Sequence, residues 1–233
     1  MLRLLPRAAL AAVPLFLAAC GGASSNGEQQ PADETEASAE NAAAETQTKP
    51  ETGAAAEMFL GDPDAPVTVI EYASVTCPHC AAFHETVFPA IKEKYVDTGK
   101  VKFVFREFPT APAGLSYVGS VLARCAADKG GRDAYFLVLG ALFKTQRTWI
   151  YGEDPKAELL KIAAQAGMDE ASFDACMQRQ ELVELINANV DEASNKYQIN
   201  STPSFVVDGE KQAVRTVEDF EKVLDAALAE SQG

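Results

Sequence analysis

Two cysteines, Cys77 and Cys80, stand where one hydrophobic pattern ends and another begins, and this junction most restricts how the chain can fold. The preceding segment, APVTVIEYA (65–73), alternates and is rich in β-branched residues, which is typical of a β-strand. The segment after the cysteines, AAFHETVF, has a helical pattern up to Pro89. KVKFVFREF (100–108) then predicts a second strand, so the cysteines open the helix of a βαβ unit.

The second half of the chain changes its hydrophobic period twice. Five helical patterns lie within 113–197, and TQRTWIYGEDP between them predicts a loop with Trp149 as a packing anchor. STPSFVVDGEKQAVRT (201–216) predicts two strands joined by an Asp-Gly turn. TVEDFEKVLDAALAE predicts a final helix with Thr216 as its N-cap and Asp219 three residues later. The predicted fold class is therefore α/β, with an all-helical domain inserted between βαβ and ββα halves.

The N-terminus has the composition of a targeting segment. Residues 1–19 carry Arg3 and Arg7 before an apolar run that is too short to span a bilayer, which predicts a signal peptide. The run ends in LAAC, which resembles a bacterial lipoprotein processing box and implies that Cys20 carries lipid after cleavage. The alternative is an ordinary signal peptide with a cysteine near its cleavage site.

The segment that follows has nothing to bury. Residues 21–56 contain no Val, Ile, Leu, Met, Phe, Tyr or Trp, and carry seven acidic residues against one lysine. Such a segment cannot offset its ordering entropy, so a disordered acidic tether is predicted from Cys20 to residue 56. With lipid on Cys20, it would anchor a periplasmic protein to a bacterial membrane, and Gly21 slightly favours the outer membrane. The predicted folded part is one discontinuous domain with its insert: 57–112 with 198–233, and 113–197.

The five cysteines divide into groups by position. Once Cys20 is set aside for lipid, four remain in a chain exported to an oxidising compartment, where cysteines pair. Cys77 and Cys80 are neighbours, which leaves Cys125 and Cys176 to form a structural disulfide. Such a cross-link stabilises a fold by about 4 kcal/mol in the chain-entropy model. The alternative is two buried free thiols that pack as small hydrophobes.

The position of Cys77 before a helix has electrostatic consequences. Its sulfur faces unpaired backbone N–H groups and the positive end of the helix dipole, and His79 adds a donor or a positive charge. These groups favour the thiolate, so the pKa of the Cys77 thiol should fall below its ordinary value, and the disulfide should accept electrons readily. Pro78 suits the first helical turn, where its missing N–H has no partner. His79 could instead be a surface cap without redox effect.

The layout and two motifs, GDPDAPVTVIEYASVTCPHC and STPSFVVDG, resemble the DsbA-like branch of the thioredoxin superfamily. Members are periplasmic thiol–disulfide oxidoreductases with a helical domain inserted into a thioredoxin fold, and the resemblance covers Met58 to about Ala229. It implies that a substrate thiolate attacks Cys77 to give a mixed disulfide, while Cys80 is the buried partner. It also implies two kinds of partner, namely reduced or unfolded exported proteins and a membrane redox protein that recycles the disulfide.

The same resemblance implies roles for three further residues. Glu71 matches the acidic residue that relays protons to and from the buried cysteine, although a solvated carboxylate at a sheet edge is the alternative. Thr202-Pro203 resembles the cis-proline loop opposite the cysteines, which leaves the Thr202 backbone free to pair with an incoming peptide. The alternative there is a trans proline that begins a strand. Threonine at 202, where the best-known oxidases have valine, resembles reductase or isomerase relatives.

Other functions fit parts of the sequence. Thr202 favours a disulfide reductase or isomerase, but an isomerase would need a dimerising segment, and the acidic tether has no apolar heptads; we therefore predict a monomer. A tethered metal carrier would use Cys77, Cys80 and His84, but no fourth ligand or methionine cluster accompanies them. The net charge of −14 and the absence of a basic stripe argue against a nucleic-acid partner. The prediction is a dithiol oxidase without metal or cofactor.

Overall fold

The computed structural model describes residues 52–231, so the predicted signal peptide, the lipid site at Cys20 and most of the tether lie outside the described residues. A five-stranded sheet and eight α-helices make up this part of the chain, with a short π-helical segment at Lys92–Val96. The strands are β1 Met58–Leu60, β2 Val67–Ala73, β3 Val101–Glu107, β4 Ser204–Val207 and β5 Glu210–Gln212. The helices are α1 Pro78–Thr86, α2 Phe88–Ile91, α3 Ala113–Lys144, α4 Gln146–Tyr151, α5 Pro155–Gln165, α6 Glu170–Cys176, α7 Gln180–Tyr197 and α8 Val217–Glu230.

The sheet has the order β1-β3-β2-β4-β5, with β2 at its centre. β2 and β3 are parallel and connected through α1 and α2, which confirms the predicted βαβ unit. β4 pairs antiparallel with β2 on its other side, and β5 pairs antiparallel with β4. Because β2 is central and ends at Ala73, the residues after it, including both cysteines, emerge at the carboxyl edge of the sheet.

The helices α3 to α7 all lie between β3 and β4 in the chain, as the sequence predicts. α3 is interrupted at Gly130 and Gly131, and Gly131 has a positive φ of 64°, which separates the two helical patterns read in this region. A glycine adopts this backbone conformation without the steric penalty of a side chain. The fold class is therefore confirmed as α/β with an inserted helical segment.

Two parts of the prediction are wrong. TQRTWIYGEDP is not only a loop, because Gln146–Tyr151 within it forms α4. Trp149 is fully buried there and donates from Nε1 to the Leu142 carbonyl oxygen at 2.8 Å, which fits the predicted packing anchor. The folded part also begins before residue 57: Ala54 and Ala56 are buried, and their carbonyl oxygens accept hydrogen bonds from Arg124. Composition alone missed this because small residues pack without a hydrophobic signal.

The C-terminal hairpin and helix follow their local sequence signals. Asp208 and Gly209 both have positive φ values, 46° and 88°, as a tight Asp-Gly hairpin turn requires. Thr216 caps α8 by accepting a hydrogen bond from the Asp219 amide, and the Asp219 carboxylate accepts one from the Thr216 amide. This capping box fixes where α8 begins and how it packs against α2 and the sheet.

A buried ionic network ties the insert to the sheet. Glu107, the last residue of β3, forms an ion pair with Arg124 of α3, with Nε and Oε1 2.7 Å apart. Tyr135 and Asn189 each donate to the Glu107 carboxylate at 2.8 Å. Arg124 also donates to the carbonyl oxygens of Ala54 and Ala56. One carboxylate thus joins β3, α3 and α7, and the insert is held firmly beside the carboxyl edge of the sheet.

Candidate active site

The two cysteines occupy the first turn of α1 and differ in accessibility. Cys77 is the N-cap residue with an extended backbone (φ −78°, ψ 121°), and Pro78 and His79 follow it in exposed positions. Both cysteines are free thiols, so the structure shows the reduced form. Cys77 keeps 7% of its surface exposed, whereas Cys80 has none. An incoming sulfur can therefore reach Cys77 but not Cys80.

Hydrogen bonds stabilise the thiolate of Cys77. They lower the pKa of Cys77 to about 5, and the hydrogen bond from the Cys80 thiol makes the largest contribution. The Thr202 side chain and the backbone N–H groups of His79 and Cys80 lower the pKa further, whereas burial opposes the shift. His79 acts here through its backbone N–H, because its side chain is exposed. In the thiol form, Cys77 Sγ lies 3.4 Å from the Thr202 carbonyl oxygen and donates to it.

Cys80 has the opposite electrostatic environment. Burial raises the pKa of the Cys80 thiol far above its ordinary range, and the hydrogen bond to Cys77 and the negative charge of Glu71 raise it further. One sulfur of the pair therefore prefers to be a thiolate and the other prefers to keep its proton. Of the two sulfurs, Cys77 is therefore the better leaving group in thiol–disulfide exchange. Cys80 takes up a proton when the disulfide between them opens.

The loop at Thr202-Pro203 lies opposite Cys77, although the two are 125 residues apart in the chain. The Thr202–Pro203 peptide bond is cis, as is Ala111–Pro112. Both Thr202 and Pro203 are half-buried and precede β4, so the loop is supported by the centre of the sheet. The structure thus brings together the two motifs that the sequence analysis identified.

Glu71 lies in the middle of β2 and is fully buried, so it is not a solvated carboxylate at a sheet edge. Its Oε2 lies 2.8 Å from Nε2 of His84, while Oε1 has no hydrogen-bond partner among the described residues. His84 stacks on Phe143, with ring centroids 4.5 Å apart and planes at 21°. His84, a candidate ligand in the metal-carrier alternative, is therefore engaged with Glu71 instead.

Two residues of the helical insert hold the loop that carries Cys77. The Gln146 side-chain amide of α4 donates to the carbonyl oxygens of Val75 and Cys77 at 2.9 and 3.0 Å. Ser116 of α3 shares a hydrogen bond of 2.8 Å with Ser74. Sequence analysis missed Gln146, because nothing local distinguishes it from a polar loop residue. The insert thus fixes the backbone of Cys77 directly.

Replacing Gln146 with leucine is expected to raise the pKa of Cys77 and to destabilise the protein. Leucine has a similar volume but no donor, so two buried carbonyl oxygens lose their partner at a cost of about 1–3 kcal/mol. The loop is then free to move Cys77 away from the N–H groups that stabilise its thiolate. Titrating the ultraviolet absorbance of the thiolate and measuring urea unfolding would check both effects. The exposed neighbour Arg147→Gln is the control, and a Gln146→Leu variant indistinguishable from it would contradict the role.

A groove of about 800 Å³ adjoins the cysteine pair at Thr202, whose carbonyl oxygen contacts Cys77 Sγ. It passes between α1, the loop before β4 and the β4–β5 hairpin. Its walls combine apolar, polar and basic side chains, including His79, Phe83, Thr202, Pro203, Lys211 and Arg215. The groove therefore meets the cysteine pair through His79 and Thr202, which flank Cys77.

Away from the groove, Cys125 of α3 and Cys176 of α6 are joined by a disulfide. It cross-links two helices of the insert and is buried, so its sulfurs are inaccessible to a substrate thiol. Within residues 52–231, no group of three His, Cys, Asp or Glu side chains is arranged to hold a metal ion. In the same range, no helix combines the length and apolar character needed to cross a membrane.

Comparison with known proteins gives consistent matches. The thioredoxin family model matches residues 53–226. A Rickettsia bellii protein, provisionally named a protein-disulfide oxidoreductase, is 32% identical over 176 residues, which are 76% of this chain and 66% of that protein. A relative from Rickettsia typhi is also 32% identical, and the chain spans 62% of its length. These curated relatives are thus matched over slightly less than two thirds of their length.

Solved structures give the same pattern. The crystal structure of Wolbachia pipientis alpha-DsbA1 is similar with a TM-score of 0.67 and 32% identity, covering 76% of this chain and 92% of that one. A protein-disulfide isomerase from Novosphingobium aromaticivorans shares the fold with a TM-score of 0.62 at 24% identity, covering 74% of this chain and 97% of that chain. The α/β fold of this chain is therefore shared with both of these proteins.

Proposed function

Because the chain belongs to the DsbA-like branch of the thioredoxin superfamily, we propose that it is a thiol–disulfide oxidoreductase that donates its Cys77–Cys80 disulfide to the thiols of exported proteins. One observation carries this proposal: Cys77 is stabilised as a thiolate, while Cys80 is held as a thiol. A pair arranged in this way favours its reduced state, so its disulfide oxidises other thiols.

The proposed exchange has two steps. A substrate thiolate attacks Cys77 of the disulfide, a bond forms between the two sulfurs, and Cys80 is released as a thiolate that takes up a proton. A second substrate thiolate then attacks the substrate sulfur of this mixed disulfide, and Cys77 leaves as a thiolate. The substrate loses two electrons and becomes a disulfide, and the Cys77–Cys80 pair gains them. The low pKa of Cys77 makes it a good leaving group in the second step.

The loop and groove beside Cys77 provide a site for the substrate. We infer that an extended segment lies in the groove and pairs with the Thr202 backbone, because Thr202 both lines the groove and contacts the Cys77 sulfur. Pro203 cannot donate a hydrogen bond, so the pairing uses Thr202. Glu71 is proposed to relay the proton of Cys80, since its charge acts on that thiol from within the sheet.

The direction of exchange distinguishes an oxidase from the main alternative, a reductase or isomerase. Thr202 favours the alternative only through its resemblance to reductase or isomerase relatives, because its side chain helps to lower the pKa of Cys77. The stabilised Cys77 thiolate favours the oxidase, because it stabilises the reduced pair. A difference of about 30 mV in reduction potential corresponds to about 1.4 kcal/mol of free energy between the reduced and oxidised pair. Equilibration of the pair with glutathione measures the potential, and a value as reducing as that of thioredoxin would identify a reductase.

The cellular setting of the reaction is proposed from the sequence. Lipid on Cys20 would tether a monomer to the periplasmic side of a bacterial membrane, with the outer membrane slightly favoured. A membrane redox protein would reoxidise the pair after each turnover. Metabolic labelling with a fatty acid, compared between the wild type and Cys20→Ser, tests the anchor, and equal labelling of the two would contradict it.

Oxidative refolding of a reduced, disulfide-containing protein tests the proposed function directly. Cys77→Ser is expected to abolish turnover, because no sulfur remains to accept the substrate thiolate. The Cys125→Ser/Cys176→Ser double variant is expected to keep its turnover per folded molecule and to lose about 4 kcal/mol of stability, as the chain-entropy model gives for such a loop. Equal loss of turnover in both variants would contradict the assignment of roles.

A further inference from the structure

His84 links the buried Glu71 to the protein surface. Glu71 is completely enclosed, whereas the His84 side chain keeps 14% of its surface exposed. His84 Nε2 lies 2.8 Å from Glu71 Oε2, so the two side chains share one hydrogen bond. Among the described residues, His84 is the hydrogen-bond partner of Oε2, and Oε1 has no partner. The imidazole is therefore the contact through which this carboxylate can exchange a proton with solvent.

His84 and Cys80 lie on the same side of α1. They are four residues apart, and residues at this spacing are neighbours on one helix face. Glu71 of β2 acts on both, through its hydrogen bond to His84 and through its charge on the Cys80 thiol. The carboxylate thus acts on a buried sulfur, which must gain and lose a proton, and is bonded to an imidazole, which can exchange one with water.

We propose that His84 supplies the proton that Cys80 takes up when the disulfide is opened, passing it through the Glu71 carboxylate. His84 does not touch the reacting sulfur, so it is a positioning residue that acts through Glu71. The inference rests on the proposed function, since it concerns the first step of that exchange.

The proton transfer balances without an additional reactant. When a substrate thiolate bonds to Cys77, the Cys77–Cys80 bond breaks and its electron pair stays on Cys80. Protonated His84 donates its Nε2 proton to Oε2 of the Glu71 carboxylate, and the carboxyl group formed in this way passes a proton to Cys80. The products are the Cys80 thiol, a neutral His84 and a Glu71 that is again a carboxylate. Solvent then returns a proton to His84 at its exposed edge.

The surroundings leave few other routes for this proton. β3 and β4 place Phe105 and Phe205 beside Glu71 in the sheet. His84 contacts the rings of Phe83, Phe88, Phe105 and Phe143. The titratable groups that act on Glu71 from its neighbouring elements are Cys80 and His84 of α1 and Tyr135 of α3, and burial raises the pKa of Tyr135 well above its ordinary range. Tyr135 is thus held neutral and hydrogen-bonded to Glu107.

The rate at which a small thiol opens the oxidised Cys77–Cys80 disulfide tests the proposal. His84→Gln keeps a donor for Glu71 but cannot carry an extra proton, so this rate should fall by about a hundredfold, the low end for proton transfer by a positioned side chain. The ratio of wild-type to variant rates should depend on pH, because only the wild type can supply a proton from this position. The pKa of Cys77 and the urea unfolding of the variant should stay close to those of the wild type.

A double-mutant cycle separates this role from a structural one. If His84 acts through Glu71, His84→Gln should have no further effect on the rate in a Glu71→Gln background. The neighbouring exposed Glu85→Gln is the matched control and should leave the rate unchanged. Independent, multiplying effects, or a pH-independent rate ratio, would overturn the proposal. A wild-type protein that fails to oxidise thiols at all would instead overturn the proposed function.

Discussion

Raising the pH from about 5 to about 7 is expected to stabilise the reduced protein by about 2 kcal/mol more than the oxidised protein. The cause is the Cys77 thiol, whose pKa the fold lowers from an ordinary value of 9.0 to about 5, chiefly through the hydrogen bond from Cys80. The oxidised protein has no such thiol. All other titrating groups are common to both forms, so the difference between the forms isolates the cysteine pair.

The sign follows from which state binds more protons. Above about pH 5, Cys77 of the native reduced protein has lost its proton while the unfolded chain keeps it, so the free energy of unfolding rises with pH. The gain disappears as pH falls through about 5. Each pH unit contributes at most about 1.4 kcal/mol, and solvent screening at the partly exposed sulfur reduces the two-unit total to about 2 kcal/mol.

Cys80 limits the gain at alkaline pH. Burial raises the pKa of the Cys80 thiol, so the native protein keeps a proton that the unfolded chain begins to release above about pH 8. Urea unfolding of the reduced and oxidised forms at several pH values between these limits measures the difference. Reduced Cys77→Ser should lack the gain. Parallel pH profiles for the reduced and oxidised wild type would show that the Cys77 thiolate is not stabilised by the fold.

Local signals in the sequence were sufficient for the elements with strong periodicity or turn chemistry. The alternation before Cys77, the Asp208-Gly209 turn and the Thr216 cap each predict a structure that depends on nearby residues only. β1 and α4 escaped prediction because they span three and six residues, too few for a period to be recognised. Both owe their conformation to packing against distant parts of the chain.

The candidate site shows the same division. The CPHC motif indicated the unequal environments of Cys77 and Cys80, because an N-cap position and a first-turn position differ in any helix. The hydrogen bonds of Gln146 to residues near Cys77 span about seventy positions and exist only once the insert has docked. The spacing of Cys80 and His84 was visible in the sequence, but it suggested a metal ligand. Only the packing of α1 on β2 reveals that the His84 imidazole is hydrogen-bonded to Glu71.

Replacing Arg124 with methionine is expected to cost about 3–5 kcal/mol of unfolding free energy, a large part of the stability of a domain this size. Methionine fills much of the same space but leaves the Glu107 carboxylate buried without its counter-charge. The carbonyl oxygens of Ala54 and Ala56 also lose their donor. Neither Tyr135 nor Asn189, which both donate to Glu107, supplies a positive charge in return.

A second substitution distinguishes the loss of charge balance from the loss of packing. Glu107→Gln in the Arg124→Met background removes the uncompensated charge, so the double variant should be more stable than Arg124→Met alone. The exposed Arg147→Met is the matched control, and it should change the stability by no more than about 0.5 kcal/mol. If Arg124→Met were as stable as this control, the ion pair with Glu107 would not hold the insert to the sheet. Since Gln146 of that insert fixes the backbone of Cys77, Arg124→Met should also broaden the thiolate titration even where the protein remains folded.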